Sequence, residues 1–247
     1  MTTRSRYRNT MLEFFDNQTH ERTAIVGAPV TFYEDFMGSA LSTGVGSFIA
    51  IDQSTSTGGA PAIRANVANG VARILVHSTG STGNNQESGL SFGDQLPFDV
   101  DQGLVFEARV AMPEAPTTPT QMFWGVMSAK STTVDAATVM AGFRMSSTST
   151  GGVFVETDDN ATNTDDVATT TTLSTDGTFK IFRIDMTDTA DVKFYIDGAE
   201  VASTTTFSIA ASTVGVQPLL YVVKATASTG VGILDVDYVR VWQKRAS

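Results

Sequence analysis

Chemistry in this chain would have to come from carboxylates. Cysteine is absent and His20 and His77 are the two imidazoles, so disulfides and thiolate metal sites are excluded. A histidine zinc site or a Ser-His-Asp triad would rest on one of two histidines that stand in no supporting motif. The acids gather in three places: Glu156-Thr157-Asp158, Asp235-Val236-Asp237, and the run from Asp158 to Asp166. Oxygen-rich loops suit a hard cation, which makes Asp158, Asp159, Asn160, Asp165 and Asp166 a candidate calcium site, although their spacing matches no defined calcium loop. Asp235 and Asp237 alternate along the face of Ile233, Val239 and Val241. They read either as a buried acid pair or as acids accepting hydrogen bonds from neighbouring backbone at a sheet end. Sugar binding would call for exposed aromatic rings. Trp124 and Trp242 sit in apolar alternation and read as core, which leaves Tyr195 as the candidate carbohydrate platform.

The elements that must position these groups are strands. From Thr178 to Val201 the sequence TFKIFRIDMTDTADVKFYIDGAEV alternates apolar and polar residues with period 2, breaks at TDTAD, and reverses again at Asp197-Gly198, a positive-φ dipeptide. Two successive hairpins are expected. Further strand candidates are Thr31–Phe36, Gly46–Asp52, Ala60–Asn66, Val71–His77, Gly89–Gly93, Leu104–Met112, Gln121–Ser128, Thr138–Met145, Gly152–Thr157 and a run within Val214–Ala225. In Leu104–Met112 the even-numbered face should be buried. Pro113 to Pro119 reads as a connection, and Asp158 to Gly177 as a long acidic, threonine-rich loop.

At 247 residues the chain fits one large all-β domain, residues 30–247, preceded by an arm, residues 1–29. A hydrophobic fraction of 41% with 15 Phe can fill a two-sheet core, while 17% charged residues is low. Thr, Ser and Gly supply the polar surface instead. There is no apolar run near the ~18 residues of a membrane span, and MTTRSRYRNT lacks the apolar core of a signal peptide. Net charge is −10. Arg4, Arg6 and Arg8 stand in the first ten residues without an acid, which leaves the remainder near −13 and suggests an arm that docks on an acidic surface. Met11 to Val26 reads as a small hairpin, too small to be stable alone, whose Leu12, Phe14, Phe15 and Ile25 must cover another surface. Gly27-Ala28-Pro29 reads as the hinge.

The arrangement V-x-F-Y-I-D-G-x-x-V at Val192–Val201, the closing ILDVDYVRVW of Ile233–Trp242 and the FYEDF of Phe32–Phe36 resemble the concanavalin A-like superfamily of laminin-G, lectin and laminarinase-like glucanase domains. The resemblance implies a two-sheet antiparallel jelly-roll sandwich. The glucanases of that superfamily carry Glu-x-Asp-x-Glu or Glu-x-Asp-x-x-Glu on one strand, because nucleophile and acid must flank one bond about 5–5.5 Å apart. Neither carboxylate pair here extends to that pattern, so no catalytic residue carries over and no enzyme is expected. The opening RYRNTMLEFFD and FYEDF also resemble tailed-phage virion proteins. On that resemblance the chain is expected to be a non-enzymatic capsid decoration protein. It would be assembled in the host cytoplasm into the virion, as a homo-oligomer on a lattice, docked on the major capsid protein or sister subunits, without nucleic acid or membrane. The alternative is a carbohydrate-binding, lectin-like module with a surface glycan as partner. No cofactor other than calcium is expected.

Overall fold

The computed structural model describes residues 3–8, 11–16, 22–26, 30–41, 47–52, 59–76, 86–131, 133–146, 151–224 and 229–245. His20, His77 and the hinge at 27–29 lie outside them. The chain opens with β1 (Thr3–Arg8), β2 (Met11–Asp16) and β3 (Arg22–Val26), an antiparallel sheet of its own in the order β1-β2-β3. The expected hairpin is therefore two strands of three, and the arginine segment is itself a strand.

Two larger sheets follow. One has seven strands in the spatial order β13 (Asn163–Thr172), β12 (Gly152–Asp158), β11 (Met140–Ser146), β10 (Thr120–Met127), β17 (Gln217–Lys224), β8 (Gln86–Ser91) and β5 (Ile49–Asp52). The other runs β16 (Ala199–Val201), β15 (Lys193–Ile196), β14 (Lys180–Met186), β9 (Leu104–Glu114), β18 (Gly232–Gln243), β7 (Ala72–Val76) and β6 (Ala62–Ile63), with β4 (Val30–Glu34) on the far half of β18. All pairings are antiparallel, and the helical elements among the described residues are two 3-10 turns, Val100–Gln102 and Val134–Ala136. This is the expected all-β two-sheet sandwich.

Both hairpins form, β14–β15 and β15–β16, and Asp197 (φ 50°) and Gly198 (φ 81°) make the second turn with positive φ at both central residues. The even-numbered residues from Leu104 to Met112 of β9 are buried in the core, opposite Met122, Trp124 and Val126 of β10 and Ala141, Phe143 and Met145 of β11. Phe143, Phe182 and Phe194 meet edge to face at its centre, with ring centroids 4.9 Å apart for Phe143–Phe182 and 5.4 Å for Phe143–Phe194. Burying each such ring contributes about 1.5–3 kcal/mol.

Three expectations are corrected. Residues 163–172 form the edge strand β13 rather than a loop: threonine is β-branched and fits a pleated strand, and its aspartates blunt an exposed edge. Strand β9 runs through Pro113 to Glu114, which an irregularity in its pairing with β18 permits. That pairing is shifted twice, between Ile233 and Asp235 and between Val236 and Tyr238, so Leu234, Val236, Val239 and Val241 all reach the core while Asp235 and Asp237 do not share a face with Val239 and Val241. Their partners are arginines, not backbone. Asp235 accepts from Arg73 Nε at 2.8 Å and Arg64 Nη1 at 2.8 Å, and Asp237 from Arg109.

Candidate functional site

Alternation on the seven-stranded sheet turns Phe123, Gly125 and Met127 of β10, Met140, Gly142 and Arg144 of β11, and Leu219, Tyr221 and Val223 of β17 away from the core. Most of them form a second apolar cluster, buried with Val134 and Ala137. Those two belong to segment 128–139, which crosses this face. Lys130 pairs with Glu87 of β8, Lys130 N–H donates to Asp94 Oδ1 at 3.0 Å, and Gln217 Nε2 donates to the Ser128 carbonyl at 3.3 Å. Tyr221 stacks beside Gly89, where a Cβ would fall 2.8 Å from its ring. Burial, and then the neighbouring Glu87 charge, raise its phenol well above the ordinary tyrosine range. Filled in this way, the outer face has no row of carboxylates on β10, β11 or β17.

Beside the cluster, a group of acids surrounds one cation. Arg144 Nη1 lies 3.2 Å from Glu156 Oε2, 3.4 Å from Asp166 Oδ1 and 3.7 Å from Asp165 Oδ1, and it donates to Asp135. Carboxylate oxygens of Asp135, Glu156 and Asp165 all lie within 4.8 Å of one another. The register places Gly142 opposite Glu156, two positions from the Arg144–Phe154 pair and on the same face. Without a Cβ there, the glutamate and arginine side chains converge across the two strands. Glu156 is 0% exposed, and its Oε1 has no hydrogen-bond partner. Burial pushes its pKa up to about 8, with Asp135 and Asp165 adding to the rise and Arg144 opposing it. Burial likewise raises Asp135, against Arg144. A neutral acid next to ionised carboxylates is the pairing that glycoside hydrolysis uses, but a fully buried Glu156 cannot reach a substrate.

The five residues read as a calcium site separate. Asp158 accepts from Asn160 N–H at 2.7 Å, and Asp159 accepts from Ala161 and Thr162 N–H at 3.1 and 2.6 Å and from Ala211 N–H at 3.0 Å. They build the β12–β13 turn, with Asn160 at φ 67°. Burial raises the Asp159 pKa, and the three backbone donors more than offset it, leaving it below the usual carboxylate range. Only Asp165 and Asp166 join the group at Arg144. Asp135 and Arg144 are absent from the candidates read from the sequence, where the one signal is an arginine inside the apolar run TVMAGFRM, and Glu156 stands among them only as a fragment of a hydrolase row.

Tyr195 is half-buried, and the Arg183 guanidinium lies 4.0 Å over its ring, so one face of the candidate platform is already covered. It belongs to a row across the outer face of the eight-stranded sheet, Tyr33–Arg240–Glu107–Arg183–Tyr195–Glu200, each opposite the next. Tyr33, 52% exposed with Arg240 4.8 Å from its ring centre, is the more open aromatic. In the arm, Arg4, Arg6 and Arg8 stand opposite Phe15, Glu13 and Met11, whereas Leu12 and Phe14 stand opposite Tyr7 and Ser5, and Ile25 opposite Glu13. The side chains of Arg6, Arg8, Leu12, Phe14 and Ile25 lie outside the described residues.

No protein-family model matches the sequence, and no curated protein is similar to it. Solved structures are similar in fold. A Bacteroides ovatus mixed linkage glucan GH16 in complex with its G4G4G3G product aligns with TM-score 0.58 and 14% identity over 85% of this chain and 99% of that one. The Emp47p carbohydrate recognition domain aligns with TM-score 0.56 and 8% identity over 87% and 95%. A Bacillus licheniformis beta-glucanase aligns with TM-score 0.50 and 17% identity over 87% and 98%. At these identities the likeness is one of fold: the chain has the concanavalin A-like, glucanase-type jelly roll.

Proposed function

We propose that this chain is a non-enzymatic virion structural protein of the capsid-decoration kind. Its arm docks on the major capsid protein or on sister subunits, and the sandwich is displayed outward. The observation that carries the reading is the separate first sheet: β1, β2 and β3 pair with one another and, among the described residues, with neither sheet of the sandwich. A single sheet buries its apolar residues by packing a face against another layer. The arginines of β1 add long-range attraction to an acidic partner, so burial sets affinity and charge sets capture rate. The filled outer face of the seven-stranded sheet and the burial of Glu156 support a non-catalytic role.

Deleting residues 1–28 tests the docking. The truncated sandwich should fold and stay soluble yet fail to join purified particles that the full chain decorates. Binding at full occupancy without the arm would refute the role.

A second reading, carbohydrate binding by the displayed sandwich, is favoured by the exposed Tyr33 ring backed by Arg240 and by the carbohydrate-recognition fold of Emp47p. A glycan array probed with the full chain and with Tyr33→Ala distinguishes it. Glycan signal lost in the variant supports it, and signal absent from the full chain counts against it.

A further inference from the structure

We propose that Asp135, Glu156 and Asp165 form a calcium site that ties segment 128–139 and edge strand β13 to β12. The geometry comes first. Oxygens that ligate one Ca²⁺ at about 2.4 Å can stand no more than about 4.8 Å apart, and one oxygen from each of the three residues satisfies that limit. The ligand chemistry is uniformly hard oxygen, with no histidine in the group among the described residues and no cysteine in the sequence, which disfavours softer metals.

A second observation is independent of the clustering. Glu156 is fully buried and its Oε1 has no partner, although an unsatisfied buried carboxylate oxygen is costly. Its other oxygen takes the Arg144 contact, so the orphan atom is the one left for a ligand. Charge points the same way: four carboxylates, Asp135, Glu156, Asp165 and Asp166, face the single Arg144 guanidinium. With Glu156 neutral the group carries −2, and a divalent ion that displaces the Glu156 proton brings it to −1. A shallow hollow lined by Asp135, Ala137, Thr138, Asp158, Asn160 and Asn163 opens beside the group, giving an ion and its waters a way in. The half-exposed Asp135 and Asp165 side chains can adjust to the larger, flexible calcium sphere more readily than to the rigid octahedron of magnesium.

The test uses the full chain, freed of divalent ions with EDTA and titrated with CaCl2 by calorimetry, with the thermal midpoint followed in parallel and MgCl2 as comparator. One calcium per chain, with a midpoint that rises as calcium saturates, is expected. Asp165→Asn, at a half-exposed position that the fold tolerates, should weaken calcium at least tenfold, as should Glu156→Gln. Asp188→Asn, on the β14–β15 turn and outside both the acid group and the hollow, should leave the affinity unchanged. A folded wild-type chain that takes up no calcium at ten millimolar overturns the site. So does binding that survives Asp165→Asn unchanged or that depends on Asp188.

Discussion

The ring of Phe123 lies across Gly142, so close that a Cβ on the glycine would fall 2.1 Å from its Cε2. The contact joins neighbouring strands β10 and β11, and with Tyr221 over Gly89 it closes the outer face of the seven-stranded sheet with aromatic rings laid against bare backbone. Gly142→Ala should therefore force Phe123 out of its rotamer and cost about 1–3 kcal/mol, the usual range for overpacking. Urea unfolding measures it, and an unchanged midpoint would mean that the ring has room to yield.

Phe194 occupies the other side of the molecule's energetics. It is 1% exposed and packs edge to face on Phe143 and Phe207. Phe194→Ala should cost about 3–5 kcal/mol through lost burial and the cavity left behind, read from the shift in denaturation midpoint at constant m-value.

Asp159 gives a pH dependence with a definite sign. Its folded pKa is depressed, so its contribution is present above the unfolded value of 3.8 and lost as pH falls through the folded one. Asp159→Asn keeps an acceptor but loses the charge, and should cost about 1–3 kcal/mol at pH 7. The gap between wild type and variant should narrow as pH falls below 3.8 and through the lower folded value, where the aspartate becomes neutral as well. Urea titrations stepped down from pH 7 would show it, and a gap that stays constant would place the effect in packing instead.

Hydrolysis is expected to be absent. Among the described residues the outward positions of β11 are Met140, Gly142 and Arg144, and the buried Glu156 of β12 cannot touch a glycan. A reducing-sugar assay on laminarin and mixed-linkage glucan should show no turnover, and turnover abolished by Glu156→Gln would overturn this.

The hairpins of Thr178–Val201 were legible because a half-buried strand writes its two environments into alternate residues and Asp197-Gly198 names its own turn. Strand β13 was not, because an edge strand with both faces near solvent has no hydrophobic period to read, and its threonines and aspartates look like a loop. The two shifts in the β9–β18 pairing are equally silent: the one between Val236 and Tyr238 moves the inward parity of β18 by one, which separates Asp235 and Asp237 from the face of Val239 and Val241. At the acid group the sequence pointed to Asp165 and Asp166 through their crowding. It could not show that Asp135 and Glu156 join them, since that follows from the pairing of Gly142 with Glu156 and the path of segment 128–139.

The central claim is that the chain is a stoichiometric part of a particle, held there by its first sheet. Quantitative mass spectrometry of virions purified from the strain that carries the gene, with electron microscopy of the same preparation, tests it most directly. The account predicts the chain at a copy number set by the capsid lattice, with density for β1–β3 against the shell and the sandwich outward. A chain abundant in the lysate but absent from the purified particles would contradict it.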